Sequence, residues 1–188
     1  MQKLLVFNSV SIDGYFTADN NDLRWSHNPI KDPEWDAFVA SNAGSGGTLL
    51  FGRITYELMA SFWPTPAAAA SFPEVAKGMN AMRKVVFSRT LETLSWENSK
   101  LMKGDLIEEV RKLKQQPGEG IAILGSSSIT AQLASAGLID EYQLVVNPIV
   151  LGSGRTMFEG IKDKLPLKLI KTRKFDNGNV LLCYELPK

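Results

Sequence analysis

Apolar residues recur along this chain in two rhythms. Short apolar runs closed by Gly, Ser or Asp alternate with longer stretches in which apolar residues return every three or four positions. The first rhythm predicts buried strands and the second predicts helices. Lys3 to Val10 predicts a first strand, which ends at the Asp13-Gly14 turn. Thr17 to Asp32 is polar and carries Asn20-Asn21, Trp25, His27 and Asn28-Pro29. It predicts a long loop of the kind that often forms or covers a binding site. Asp32-Pro33 then opens a helix, with an acidic cap and proline at the first helical position.

Gly44 to Gly47 ends that helix. Thr48-Leu49-Leu50-Phe51 predicts a second strand that turns through Gly52-Arg53 into a helix. Pro64-Thr65-Pro66 and the alanines after it predict a connection, and Phe72 to Met82 predicts a short helical stretch. Lys84 to Phe87 is a third strand, closed by Ser88-Arg89-Thr90. Asp105 with Glu108 forms a capping-box pattern for a helix over Leu106 to Gln115, stopped by Pro117-Gly118. Tyr142 to Ile149 predicts a strand, and Leu167 to Phe175 with Asn179 to Leu186 predicts a hairpin across Asp176-Asn177-Gly178. Both parities of the last strand are apolar, so cover on both faces is expected. Strands alternating with helices predict an α/β fold with an antiparallel pair at the C-terminal end, in one domain over 1–188.

One stretch organises the rest: Ile121-Ala122-Ile123-Leu124, then Gly125-Ser126-Ser127-Ser128, then a helical pattern from Ile129 to a stop at Gly137. A strand followed by a small-residue turn and a helix start presents backbone N–H groups, which suit an anion such as a phosphate. Serine-capped strand-to-helix connections are common without any ligand, so this turn needs support from elsewhere.

Composition narrows the classes. The 188 residues, 44% hydrophobic and 22% charged, suit a globular domain, and a formal net charge of +1 gives no global pull toward nucleic acid or anionic membrane. One cysteine (Cys183) and one histidine (His27) cannot build a common zinc site, so no metal is expected. Leu4-Leu5-Val6-Phe7 is too short and too soon followed by polar residues to be a signal peptide or a membrane span, and a cytoplasmic location is the expectation. Cys183, among apolar strand neighbours, reads as packing, and no Gly-x-Ser-x-Gly elbow exists.

Three turns share a build: Phe51-Gly52-Arg53, Phe87-Ser88-Arg89 and Leu124-Gly125-Ser126. In open α/β sheets, ligands gather at the carboxyl ends of the strands. Two arginines among helix-start donors suit phosphates, including an isolated one that a guanidinium can grip bidentately. Each arginine alone reads as a solvated surface residue; three such turns together point to a site.

These segments, with Val10-Ser11-Ile12-Asp13-Gly14-Tyr15-Phe16 and Gly52-Arg53-Ile54-Thr55-Tyr56-Glu57, resemble the dihydrofolate-reductase-like superfamily. Leu138 to Tyr142 and Pro148 to Gly154 look like the reductase domain of the riboflavin-biosynthesis deaminase/reductase and its stand-alone bacterial relatives. The resemblance implies a three-layer α/β fold, a mixed, mostly parallel sheet of about eight strands with helices on both faces and a C-terminal antiparallel hairpin. It implies NADPH as cofactor. Gly52, Arg53, Ile54 and Thr55 would meet it, with Arg53 near the 2′-phosphate. Ser88, Arg89 and Thr90 would flank the adenosine end, and Leu124, Gly125, Ser126, Ser127, Ser128 and Ile129 would hold the pyrophosphate. The superfamily often has two adjacent glycines in that turn, whereas Gly125 is followed here by Ser126. A positive φ at the serine would strain it.

At the reacting end the resemblance implies hydride transfer to a flat heterocycle, such as a phosphoribosylaminopyrimidine or a pterin. Asp13 and Glu34 are the candidate proton donors. Asp13 could equally satisfy backbone N–H groups in its turn, and Glu34 could complement a helix dipole. Val10, Trp25, Phe38, Tyr56 and Gly152 are candidate substrate contacts, although most aromatics in such a chain belong to the core. The expected function is that of an NADPH-dependent reductase acting as a homodimer on a small molecule. The alternatives are dihydrofolate reductase activity, or binding of a nucleotide or phosphosugar without turnover.

Overall fold

The computed structural model describes residues 1–187. In chain order the elements are β1 (Leu4–Ser11), β2 (Tyr15–Thr17), two 3-10 turns (Asp19–Asn21 and Arg24–Ser26), α1 (Pro33–Ala43), β3 (Thr48–Gly52) and α2 (Arg53–Phe62). There follow α3 (Pro66–Ser71), α4 (Pro73–Ala81), β4 (Arg83–Phe87), β5 (Ser99–Met102), α5 (Leu106–Gln115), β6 (Ile121–Leu124) and α6 (Ser127–Ser135). The chain closes with β7 (Glu141–Asn147), β8 (Arg155–Thr156), β9 (Lys168–Lys174) and β10 (Val180–Glu185). Eight strands belong to a mixed, mostly parallel sheet, and β2 with β8 forms a small antiparallel ribbon. By contact density the chain divides into two units, each assembled from separated segments: 1–3 with 36–126, and 4–35 with the residues from 127 onward.

The first unit carries the parallel strands β5, β4, β3 and β6 in that order. Four consecutive residues of β3, Thr48 to Phe51, are buried, as expected of an inner parallel strand. Phe51, Tyr56, Met79, Met82, Val86 and Trp96 belong to one apolar cluster. Asn80 ties this core together. Its side chain accepts from the Trp96 indole N–H at 2.7 Å and donates to the Trp63 carbonyl at 3.1 Å. The α5 helix matches its expected limits. Asp105 accepts from the Glu108 N–H at 3.0 Å, while the Glu108 carboxylate turns to Arg111 at 2.8 Å, leaving the capping box half made.

Two segments of this unit differ from the sequence reading. The expected connection after Pro64 is the helix α3, because Thr65 accepts from the Ala68 N–H at 3.3 Å, Pro66 fits the first helical position and alanine is the strongest helix former. Strand β5 carries no continuous apolar run, since Ser99 and Lys100 precede Leu101 and Met102, and its pattern hid it.

The second unit carries β1, β7, β10 and β9. β1 and β7 are parallel, and β10 is antiparallel to both β7 and β9. The β9–β10 hairpin turns at Asp176 to Gly178, with Gly178 at φ +89°. On β10 only Leu181 and Cys183 are buried, and Val180, Leu182 and Tyr184 are half-covered, so one face is fully packed rather than two. β7 stops at Asn147, two residues earlier than the apolar run, because Pro148 has no N–H and the Ile149 N–H folds back to the Asn147 carbonyl at 2.8 Å. α6 begins two residues before Ile129. It ends with Gly137 at φ +64°, the Gly137 and Leu138 N–H groups closing on the carbonyls of Ala134 and Leu133.

Candidate functional site

The carboxyl ends of β4, β3 and β6 lie on adjacent parallel strands of the first unit, with Gly52 paired to Phe87 and Leu50 to Ile123. The turns of the sequence reading are therefore neighbours. After β4, the Ser88 hydroxyl accepts from the N–H groups of Thr90 (3.2 Å) and Leu91 (3.0 Å), a local turn that leaves Arg89 and Thr90 exposed. After β3, Gly52 caps α2 without a side chain, so none covers the first-turn N–H groups of Arg53, Ile54 and Thr55. Arg53 is exposed and its guanidinium donates to Glu57 at 3.0 Å, one helical turn on. A cavity of about 300 Å³ is lined by Tyr56, Glu57, Ala60 and Ser61 of α2 and by Leu91, Thr93 and Ser95 of the segment after Arg89.

The third turn is unusual. Gly125 and Ser126 are consecutive left-handed residues, at φ +62° and +57°. The Ser126 hydroxyl accepts from the Gly52 N–H at 2.9 Å and donates to the Leu124 carbonyl at 3.3 Å. The Ser126 N–H donates to Thr55 Oγ1 at 3.0 Å. Thr55 is thus buried against this turn instead of reaching outward. The hydrogen bonds lacing these turns were invisible in sequence, whereas the Arg53–Glu57 pair was signalled by their spacing of four.

In the second unit, Ser127 and Ile129 are buried at the start of α6 and Ser128 is exposed. Asp13 and Gly152 meet directly: the Asp13 carboxylate accepts from the Gly152 N–H at 2.7 Å and from the Leu151 N–H at 3.1 Å. The Ser11 hydroxyl, with these N–H groups, holds the Asp13 carboxyl at about 2, well below the usual range. The Asp13 carboxylate thus ties the turn after β1 to the loop after β7. Glu34 is engaged by the Arg173 guanidinium, with Nε at 3.1 Å. Val10 and Trp25 are half-buried.

Of the aromatic candidates in the first unit, Phe38 is half-buried, and Tyr56 is 3% exposed within the core. The Tyr56 hydroxyl accepts from the Trp96 N–H at 2.9 Å, and its ring lies 6.4 Å from that of Trp96. Tyr56 thus packs mainly within the core, with only a small part of it at the edge of the cavity.

Residues 2–181 match the RibD C-terminal domain. The chain belongs to that family. A relative within reach of it, the uncharacterized protein YyaP of Bacillus subtilis, is 30% identical over 185 residues, 98% of this chain and 95% of YyaP. A putative riboflavin biosynthesis protein from Shewanella sp. PV-4 superposes with a TM-score of 0.75 at 22% identity, covering all of both chains. Dihydrofolate reductase from Enterococcus faecalis, complexed with NADP(H) and RAB-propyl, superposes with a TM-score of 0.64 at 16% identity over 99% of this chain and 97% of that one. The fold of this RibD C-terminal-domain protein is therefore dihydrofolate-reductase-like.

Arg53 and Arg89, which follow the paired strand ends Gly52 and Phe87, and the helix start at Gly52 offer cations and amide donors of the kind that suit an anionic group. Among the described residues no group of three His, Cys, Asp or Glu side chains could hold a metal ion, and no helix is long and apolar enough to cross a membrane. Cys183 is buried, and desolvation raises its thiol above the ordinary value, which makes it a poor nucleophile.

Proposed function

We propose that this RibD C-terminal-domain protein is an NADPH-dependent reductase of a small heterocycle, similar in chemistry to the 5-amino-6-(5-phosphoribosylamino)uracil reductase step of riboflavin biosynthesis. The observation that carries the reading is the side-by-side placement of three strand ends bearing Arg53, the bare start of α2, Arg89 and the Gly125-Ser126 turn. In this reading Arg53 meets the 2′-phosphate, and Ser88, Arg89 and Thr90 flank the adenosine. Gly52, Ile54, Leu124 and Gly125 face the diphosphate. Val10, Trp25, Phe38 and Gly152 remain the proposed substrate contacts.

The cofactor would supply the hydride; the protein binds, orients and excludes water. Because the Asp13 carboxylate is taken up by the Gly152 and Leu151 N–H groups and Glu34 by Arg173, the proton delivered with the hydride comes from water in this reading. The test is oxidation of NADPH, followed at 340 nm, with a panel of phosphoribosylaminopyrimidines, pterins and dihydrofolate. Turnover of a pyrimidine supports the reading, and methotrexate-sensitive turnover of dihydrofolate supports the dihydrofolate reductase alternative. Tight NADPH binding without turnover across the panel leaves a nucleotide-binding protein instead. The reading includes a homodimer, and light scattering that finds only monomer at micromolar concentration removes that part of it.

A further inference from the structure

We infer that Ser126 is a positioning residue that sets the entrance of the dinucleotide site through Gly52, and not by touching the ligand; this rests on the dinucleotide reading above. The pairing of β3 with β6 ends at Leu50 and Ile123, because β6 turns away into Gly125-Ser126. The Gly52 N–H lies two residues beyond that last pair on β3, where the Leu124 carbonyl is engaged by the Ser126 hydroxyl. The Ser126 hydroxyl takes the carbonyl's place at 2.9 Å, extending the ladder one step after the backbone has left it.

The rest of the residue is spent in the same way. Its hydroxyl proton goes to the Leu124 carbonyl and its N–H to Thr55 Oγ1, in the first turn of α2. These bonds join the end of β6, the end of β3 and the start of α2. Ser126 keeps neither its hydroxyl proton nor its N–H for a phosphate. What it controls is the angle at which α2 leaves the sheet, and with it the direction of Arg53 and of the first-turn N–H groups.

A left-handed φ disfavours serine relative to glycine, so the position would be better filled by glycine if backbone shape were its only demand. The hydroxyl is the reason to hold serine there. That separates two roles by experiment: Ser126→Gly relaxes the backbone and deletes the hydroxyl, while Ser126→Ala deletes the hydroxyl and keeps the strain.

Dissociation constants for NADPH and for NADH would be measured for wild type and both variants, alongside amide hydrogen exchange at Gly52 and thermal melting. The expected result is that Ser126→Gly melts no lower than Ser126→Ala, yet binds NADPH about five- to tenfold more weakly than wild type, the loss expected for one hydrogen bond's orientation. Exchange at Gly52 is expected to speed up in both variants. Wild-type affinity and wild-type Gly52 protection in Ser126→Gly would overturn the inference and leave the dinucleotide reading standing. Wild type binding neither dinucleotide would overturn that reading and the positioning role with it, and Gly52 exchange would still report separately on the hydroxyl's bond. If Ser126→Gly does not fold, Thr55→Val breaks the same lacing at its other end and is read by the same two measurements.

Discussion

Thr55 occupies the space into which a β-carbon on Gly125 would project: the threonine methyl would stand 2.6 Å from it and the hydroxyl oxygen 2.9 Å. Glycine is needed there twice over, for this contact and for its φ of +62°. The first turn of α2 can thus lie directly on the turn after β6, close enough for Thr55 to accept the Ser126 N–H.

Gly125→Ala is accordingly expected to destabilise the protein by about 2–4 kcal/mol, combining a left-handed alanine with overpacking. In a Thr55→Ser background the same substitution should cost less, because the nearer of the two contacts is gone. Urea unfolding of the four proteins of this cycle checks it, and strict additivity would mean that the two residues do not press on each other.

Arg53 is held by Glu57 at 3.0 Å on the exposed face of α2. An exposed pair of this kind is worth only about 0.3–0.5 kcal/mol, so a phosphate can displace the glutamate. Arg53→Ala is expected to weaken NADPH by roughly 10- to 100-fold, the range for charge-assisted hydrogen bonds, and NADH far less. Glu57→Gln is expected to tighten NADPH by about twofold by releasing the arginine. Calorimetric titration with both nucleotides decides it, and equal losses for the two in Arg53→Ala would remove the 2′-phosphate from Arg53.

Lys84 is fully buried in β4, its ammonium donating to the carbonyls of Asn80 at 2.8 Å and Glu97 at 3.1 Å and lying 4.3 Å from the centre of the Trp96 ring. Desolvation brings its pKa down to about 8, against the attraction of Glu97. The unfolded chain then binds more protons than the folded one between about 8 and the ordinary lysine value, so this lysine's contribution to stability rises with pH across that window. Lys84→Met lacks the effect. The melting temperature of wild type relative to Lys84→Met is expected to climb from pH 7 to pH 10, and a flat difference would show that the lysine titrates as an ordinary one.

Local patterns that carry their own chemistry were legible in the sequence. The Asp32-Pro33 start of α1, the limits of α5, the Asp176–Gly178 hairpin and the three strand-end turns all rest on caps, turn residues or unbroken apolar runs. The elements it hid are those held by pairing alone, such as β5 and the β2–β8 ribbon, where neighbouring strands supply what the residues do not. At the candidate site, residue types were readable and partners were not. Thr55 reads as a ligand contact until Ser126, 71 positions away, is seen to use its hydroxyl. Tyr56 likewise reads as a stacking surface until Trp96 closes over it.

The Asp13 carboxylate joins the turn after β1 to the loop after β7, through the Gly152 and Leu151 N–H groups. The Ser11 hydroxyl and these N–H groups put its folded-state pKa at about 2, against 3.8 ordinarily. A carboxylate with a depressed folded pKa contributes stability that is fully present above the unfolded value and is lost as pH falls through the folded one. Asp13→Asn keeps the shape and removes the charge. The melting temperature of wild type is expected to exceed that of Asp13→Asn at pH 6, with the gap closing between about pH 4 and pH 2. Amide exchange at Gly152 should quicken in the variant at neutral pH. If the gap holds constant through that range while Gly152 exchange stays slow, the carboxylate's charge is not what holds the loop.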